Sequence, residues 1–494
     1  MSFVSSQFFI IVTAAILLYF IVPKNFRWYV LLAASCVFYY CSAGLPASLI
    51  MLLTVSVTFF AGRQIEKDID SGKKKSLYLS VGIIVILSIL ILTKLRRYSG
   101  HLSRLIVPLG ISYYSFSLIG YLVDVSVKKQ KAEKDFLKFL LYALFFPKII
   151  QGPISKFRDI GPKLIEGHSF SYDRLCFGLQ LIIWGYFKKL VISERTSMFV
   201  GNLFGDIGNF ELGNLALILA TILGAAGVYC DFSGYMDIVT GISQIMGIEL
   251  DRNFDRPFFS RSAAEFWRRW HITLGVWFRD YVYMPLVTAP GMISISKKVR
   301  GRFGKKAGKA FLTAVPLAVV WFLTGLWHGT GINYLVWGCY WGTIIIVSNV
   351  FEPEFRKLAA FLRINTKTAD WRVFQTIRTF CFYLGGVLIS TLLGVKGLKT
   401  FFRILIKDFH FGRLGTEIFS DYGLSKENFV ILMAAVILLW IIEKKGEKGS
   451  VREAIAGFNP IAKWGIYAFG ILIVLLVGIY GAGYTTNGFA YAFY

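Results

Sequence analysis

Apolar positions in this chain come in runs too long and too unbroken for a soluble core. Neither the two-residue alternation of a half-buried strand nor a polar helix face interrupts them. Such runs cover 3–22, 26–42, 46–61, 77–92, 105–125, 139–150, 175–192, 212–228, 310–326, 332–350, 373–393, 429–442 and 464–480. A helix needs about 20 apolar residues to cross the hydrocarbon layer. The pattern therefore predicts an all-α polytopic membrane protein with about eleven crossings, because several runs are too short or too polar to cross. The stretch 139–150 ends at Pro147 and the Gly152-Pro153 pair, which fits a re-entrant helix better than a span. The first run has no basic flank before it and no small-residue cleavage site after it, so it is expected to stay in the mature protein. We divide the chain into N-terminal spans (1–104), a core (105–350) and C-terminal spans (351–494).

Composition agrees with this reading. Of 494 residues, 55% are hydrophobic and only 17% charged, whereas a globular domain carries about 25% charged residues. Mean hydropathy is +0.59. Disordered, collagenous and disulfide-built classes are excluded. The net charge of +25 would suggest nucleic acid in a soluble chain, but the cations sit mostly between apolar runs, as Lys and Arg do at the cytoplasmic ends of spans. The bilayer, and not nucleic acid, is the expected partner. Charges in the first loops place the N-terminus outside. Lys94, Arg96, Arg97 and Arg104 then fall on the outer side, against the rule, so either the fourth run does not cross cleanly or this loop folds back. The run 297–309, with seven Lys or Arg and no acid, is assigned to the cytoplasm. The six cysteines lie in or beside apolar segments without a disulfide framework or zinc spacing.

Chemistry concentrates in the middle of the chain. Gly227-Val-Tyr-Cys-Asp231-Phe-Ser-Gly-Tyr-Met-Asp237 sets two carboxylates six residues apart in an apolar background. An unpaired buried carboxylate is costly, so Asp231 and Asp237 require partners or water. A structural ion pair, or Asp231 capping a following helix, is the plain reading, and a substrate site the alternative. Asn253-Phe-Asp-Arg-Pro-Phe follows. The segment 264–281, with Trp267, His271, Leu274 and Phe278 on one side and Glu265, Arg268, Arg269 and Arg279 on the other, predicts one amphipathic helix at an interface or cavity. Glu265 and Arg269 form an i,i+4 pair. His271 is either a packed core histidine or a site residue. The arginines are either headgroup-facing or anion-binding.

In Trp321-Phe-Leu-Thr-Gly-Leu-Trp-His328-Gly-Thr-Gly-Ile-Asn333, a histidine stands between two apolar runs, flanked by Gly325, Gly329 and Gly331. Non-helical backbone at membrane depth survives only where protein or a water-filled cavity covers it. An ionisable residue there is a functional candidate. His101, His168 and His410 sit in polar loops and receive no role. The histidine spacing supports no metal site, and nucleotide-binding and serine-hydrolase motifs are missing.

These residues carry a resemblance to the membrane-bound O-acyltransferase family, within it to the bacterial branch of alginate O-acetyltransferases and teichoic-acid D-alanylation proteins. The matching pieces are Val107-Pro-Leu-Gly-Ile-Ser-Tyr-Tyr-Ser-Phe with Gly120-Tyr-Leu-Val-Asp124, Phe146-Pro-Lys-Ile-Ile-Gln-Gly-Pro153, Asp231-Phe-Ser-Gly-Tyr-Met-Asp237, Phe266-Trp-Arg-Arg-Trp-His271 and Gly325-Leu-Trp-His-Gly329. They stand in the family's order across about half the chain. The aromatic end Phe489 to Tyr494 is a weaker match. The resemblance implies a ring of helices around a pinched tunnel, with His328 and His271 at the family's two histidine positions, a cytoplasmic acyl donor and an outer acceptor. It further implies a thioester donor, acetyl-coenzyme A or an acyl-carrier thioester, and no bound cofactor. An SGNH-type partner would complete transfer to a polysaccharide. His328 is then the general base and His271 a donor-orienting or oxyanion-stabilising group, with Trp327 and Asn333 near the oxyanion. Arg268, Arg269 and Arg279 would meet donor phosphates. The chain's length favours acetyl over D-alanyl transfer. A membrane transporter, which also uses broken helices and midplane polar residues, is the competing class, against which stands the lack of an internal hydropathy repeat.

Overall fold

The computed structural model describes residues 3–73, 76–96, 105–205, 214–392, 394–406, 416–447 and 449–480. Arg97 and Arg104 of the conflicting basic cluster, His101, His410 and the aromatic C-terminal end lie outside the described residues. In chain order the helices are α1 (Ser6–Ile21), α2 (Arg27–Asp70), α3 (Leu77–Leu95), α4 (Ile111–Ser126), α5 (Phe136–Leu144), α6 (Phe157–Ile165), α7 (Tyr172–Tyr186), α8 (Glu194–Gly205), α9 (Asn214–Ile245), α10 (Ala263–Arg269), α11 (Ile272–Phe278), α12 (Met284–Thr288), α13 (Pro290–His328), α14 (Ile332–Val350), α15 (Glu352–Phe361), α16 (Ala369–Thr391), α17 (Gly394–Ile406), α18 (Thr416–Asp421), α19 (Lys426–Lys445), α20 (Val451–Ala456) and α21 (Pro460–Val477). Among the described residues the only β pairing is a single antiparallel bridge between Phe254 and Trp270.

Among the described residues seven helices are long and apolar enough to cross a membrane, or eight if α14 and α15, bent by 65° at their junction, count as one span. The chain is thus polytopic and helical as expected, while the count differs from about eleven for identifiable reasons. The runs 26–42 and 46–61 fall on one 44-residue helix, α2, broken where Gly44 takes φ 78° beside Pro46. At 1.5 Å per residue its 44 residues amount to about 66 Å of helix, roughly twice the hydrocarbon thickness, which is length enough for both expected crossings although it counts as one candidate span. The helices α1 and α4 have only 16 residues each. The run 139–150 contributes the nine-residue helix α5 and then turns through Pro147.

Contacts divide the chain into two compact units. One comprises 1–195, 227–251 and 427–494; the other 196–226 and 252–426. In the first unit, the non-helical stretch 145–155 is buried and held by polar anchors. Ser35 Oγ accepts from Phe146 N at 3.1 Å, Tyr142 OH donates to Ser155 O at 2.9 Å, and Tyr235 OH donates to Pro147 O at 3.2 Å. This is the covered irregular backbone that a membrane protein tolerates. Gly110, at φ 72°, lies so close that a Cβ there would stand 1.8 Å from Ile149 O. Asp124 of the Gly-Tyr-Leu-Val-Asp motif pairs with Arg158 at 3.3 Å.

Two glycine pairs in the same unit let α7 and α9 meet backbone to backbone. A Cβ on Gly185 would sit 2.6 Å from Gly234 O, and one on Gly241 would sit 2.5 Å from Gly178 O. Small residues at a crossing are how apolar helices approach closely where hydrophobic burial gives no driving force.

Candidate active site

The second unit brings His271 and His328 together, although 56 residues of chain separate them. His328 is the last residue of α13 and is buried. Gly329 follows with extended backbone, its N–H donating to Gly325 O at 3.2 Å. The position of His328 is set by how tightly α13 and α14 press together. A Cβ on Gly338 would lie 2.5 Å from Trp321 O, and one on Gly325 2.6 Å from Tyr334 O. His328 then packs edge to face against Trp337, with ring centroids 4.6 Å apart, and against Trp327 at 4.9 Å. Trp327 in turn packs against His271 at 5.8 Å, so one indole bridges the two imidazoles. Trp267 completes the aromatic wall, 5.5 Å from Trp337 and 4.9 Å from Trp321.

His271 arrives by a route that the amphipathic pattern did not predict. The single helix expected over 264–281 is instead two short helices, α10 and α11, separated by Trp270 in an extended conformation and His271 in the left-handed region at φ 47°, ψ 52°. The break is held by the strand-like pairing of this segment with Asn253-Phe-Asp. Asp255 N donates to Arg269 O at 2.8 Å and Ile272 N to Asn253 O at 3.0 Å. A left-handed non-glycine residue costs of order 1–3 kcal/mol, and this pairing supplies the compensation. Beyond α11 the chain continues as a π-helical turn, Arg279–Tyr283.

Asn253 fixes the imidazole. Its side-chain oxygen accepts from Thr273 N at 3.0 Å and from Thr273 Oγ1 at 2.9 Å, and it faces His271 Nδ1 at 3.2 Å. A backbone N–H can only donate, so the atom it meets must be the amide oxygen, and Nδ1 must carry the proton. Nε2 is left as the acceptor nitrogen. Burial first, and the neighbouring His328 second, hold the His271 imidazole well below the ordinary histidine range, so the ring is neutral at pH 7. Replacing Asn253 by Ala is expected to lower kcat at least tenfold with little change in KM, and Asn253→Asp, which keeps an acceptor oxygen, to recover part of it. An alanine variant with the wild-type kcat would remove Asn253 as a positioning residue.

The other expected site residues separate into two groups. Arg269 forms the expected pair with Glu265 at 2.7 Å, Arg279 pairs with its neighbour Asp280 at 2.8 Å, and Arg268 is exposed. Asn333 is buried with its amide nitrogen donating to Ser390 O at 3.0 Å, which ties α14 to the end of α16. Asp231 and Asp237 belong to the first unit and form an ion-pair cluster there. Lys189 Nζ bonds to Asp231 at 2.5 Å and to Glu194 at 2.8 Å, and Lys188 Nζ bonds to Asp237 at 2.7 Å and to Ser233 at 2.8 Å. Asp231 caps no helix, since α9 runs unbroken through it. Both lysines lie on a π-helical stretch, Phe187–Ser193, where the extra residue per turn turns successive side chains inward.

Asn253, Lys188 and Lys189 went unassigned in the sequence. The lysines were detectable as two cations inside the apolar run 175–192, which is itself a functional signal in a span. Asn253 stood in a motif whose partner, 20 residues onward, only folding reveals.

Two buried histidines joined through a tryptophan wall in a polytopic helical protein form a candidate site for proton transfer. Residues 36–297, just over half the chain, match the model of the membrane-bound O-acyltransferase family, and the chain belongs to that family. It is a multi-pass membrane O-acyltransferase. The chain is 28% identical to the probable alginate O-acetylase AlgI of Pseudomonas syringae pv. tomato, over 75% of this chain and 68% of that protein. It is 27% identical to the probable alginate O-acetylase AlgI of Azotobacter vinelandii, over 85% and 79% respectively. Similarity extends to the teichoic acid D-alanyltransferase of Bacillus subtilis, 29% identical over 56% of this chain and 68% of that protein.

Proposed function

We propose that this protein moves an acetyl group from a thioester donor on the cytoplasmic side of a bacterial cytoplasmic membrane across that membrane, for O-acetylation of an extracytoplasmic polysaccharide. The observation that carries the reading is the His328–Trp327–His271 constellation, and the alginate O-acetylase relatives support the acetyl group and the polymer class. A thioester is already activated, so the protein's task is to present a hydroxyl, remove its proton and receive the leaving thiolate. His328 acts as general base. The hydroxyl oxygen bonds to the carbonyl carbon, the carbon–sulfur bond breaks, and the proton taken by His328 passes to the sulfur. His271, neutral and with Nε2 accepting, orients a donor N–H or O–H; this tautomer suits it less to stabilising an oxyanion, which needs a hydrogen-bond donor. Arg268 and Arg279 meet the phosphates of the donor, and Trp327 holds the two imidazoles in register.

An SGNH-type partner outside the membrane takes the acyl group onward to the polymer, and no cofactor is bound. D-alanyl transfer from a carrier protein toward teichoic acid is the second reading, favoured by the Bacillus subtilis relative.

The test is thioester turnover by the purified full-length protein with labelled acetyl-coenzyme A, beside D-alanyl carrier protein, with and without a hydroxyl acceptor. Acetyl turnover supports the reading. Turnover of the D-alanyl thioester alone replaces acetyl with D-alanyl. Silence with both donors, in a preparation supplied with the SGNH-type protein, overturns it. In the same assay, neutralising Arg268 and Arg279 together is expected to raise donor KM about tenfold or more with kcat retained, since a charge-assisted pair to phosphate is worth roughly 1.5–3 kcal/mol. An unchanged KM removes the two arginines from the donor site.

A further inference from the structure

The helix α13 does not run straight from Pro290 to His328. At Gly304, φ is 88° and ψ 171°, and the chain folds back on itself. Ser296 Oγ donates to Gly308 O at 3.0 Å although the residues are 12 apart, and a Cβ on Gly308 would stand 2.8 Å from Arg300 Cβ. Residues 290–303 and 305–309 therefore lie side by side as a helical hairpin with Gly304 at its tip. The second arm continues directly into the apolar span that ends at His328.

This hairpin is charged in one sign only. Lys297, Lys298, Arg300, Arg302, Lys305, Lys306 and Lys309 are all exposed, and the sequence holds no Asp or Glu anywhere between Asp280 and Glu352. Among the described residues the one carboxylate that reaches any of the seven is Glu354, 3.6 Å from Lys306. Exposed apolar side chains accompany the cations, Ile293 and Ile295 just before them and, next to the tip, Phe303, which is 66% exposed.

A second element with exposed apolar side chains lies beside it, of mixed charge, since Glu352 and Glu354 stand in its first turn and Arg356 pairs with Glu352. The helices α13 and α14 form an antiparallel pair, so the start of α15 returns to the hairpin's end of that pair, as the Lys306–Glu354 contact requires. The helix α15 bends away from α14 by 65°. Along it Phe355, Leu358 and Phe361 are exposed, the last at 82%, with Lys357 exposed among them and Arg363 exposed just past the helix end. A face that mixes large exposed apolar groups with many unneutralised cations, and adjoins a span, has the make-up of an interfacial element. The apolar groups enter the acyl layer while the long basic side chains reach back to headgroup phosphates.

We propose that the 290–309 hairpin, together with α15, is a seat for anionic phospholipid headgroups of the bilayer in which the protein sits. The phosphodiester is the ligand chemistry, and the lipid is its source. Continuity of the basic arm with a transmembrane span, and apolar side chains at the tip where a soluble acidic partner would meet water, select lipid over protein. The proposal is independent of the acyl-transfer reading.

The test compares retained lipid in the full-length protein, purified from mixed phosphatidylglycerol and phosphatidylcholine micelles, by native mass spectrometry. One variant carries Lys297→Gln, Lys298→Gln, Arg300→Gln and Arg302→Gln. A control neutralises four exposed cations of another loop, Lys128, Lys129, Lys131 and Lys134. Each cation near an anionic surface is worth about fivefold in binding. The hairpin variant is expected to lose its preference for phosphatidylglycerol on the order of tenfold or more, with phosphatidylcholine retention and the elution profile unchanged. The control is expected to behave as wild type. Equal phosphatidylglycerol retention in wild type and the hairpin variant overturns the proposal, as does an equal loss in the control. In nanodiscs, Phe303→Asp should reduce retention of phosphatidylglycerol with all seven cations in place; no reduction would show that the apolar tip does not enter the bilayer.

Discussion

Replacing His328 with Ala is expected to cut acyl transfer by about 10²- to 10⁴-fold, the usual worth of a positioned general base, with the protein still folded. The ring is buried at the end of α13 against Trp327 and Trp337. Removing it therefore also costs packing, and the alanine variant alone would confound the two effects. His328→Gln keeps most of the volume and a hydrogen-bonding end but has no basic nitrogen. If His328 works as a base, the glutamine variant loses transfer as fully as the alanine variant while its melting temperature stays close to wild type. If His328 only packs, glutamine restores turnover. His271 provides the contrast. In the proposed reading it orients the donor, so His271→Gln is expected to keep more activity than His328→Gln. The measurement is single-turnover acetyl transfer alongside a thermal melt in the same detergent. A His328→Gln protein that turns over at the wild-type rate would remove proton abstraction at this position.

The largest effect on stability is expected from Lys189. Its ammonium group stands between Asp231 at 2.5 Å and Glu194 at 2.8 Å, and all three side chains are at least nine-tenths buried. Breaking a buried ion pair by deleting one partner costs about 3–5 kcal/mol, because the remaining charge is left without compensation. Lys189→Met leaves two carboxylates facing one another, so it belongs at or above the top of that range. Asp231→Asn leaves the Lys189–Glu194 pair intact and keeps a hydrogen-bonding group, and should cost markedly less. The order Lys189→Met, then Asp231→Asn, then wild type is expected in thermal stability measured by the loss of the monodisperse elution peak. Equal stability of Lys189→Met and wild type would mean that the cluster does not hold α7, the π-helical stretch and α9 together. Lys188, which joins Asp237 and Ser233 at 2.7 and 2.8 Å, forms a parallel clamp beside it. Asp237 is a quarter exposed, so Lys188→Met is expected to cost less than Lys189→Met.

Asp231 and Asp237 drew attention as carboxylates in an apolar setting, and the requirement that they find partners was sound. The partners themselves were hidden, because Lys188 and Lys189 lie more than 40 residues earlier and come inward only through the π-helical turn and the glycine contacts of α7 with α9. The Glu265–Arg269 ion pair was legible in a different way. Spacing alone paired Glu265 with Arg269, since an i,i+4 contact is local.

The local order of residues by itself determined the class of this protein. Runs of apolar residues at membrane length mark a polytopic chain, and in lipid a helix satisfies its own backbone polar groups within one segment. Gly-rich flanks around a histidine between two such runs marked His328, and the five motifs in order marked the family. Tertiary structure alone decided how His271 is presented. Periodicity read 264–281 as one helix because it weighs only neighbours along the chain. The helix breaks because Asn253-Phe-Asp, remote in that periodicity, competes for the backbone of Arg269 and Ile272 and offers Asn253 as the fixed acceptor for the imidazole. The bends at Gly44 and Gly304 were likewise decided beyond local propensity. A glycine permits a left-handed turn wherever it stands, and packing selects the few that take it.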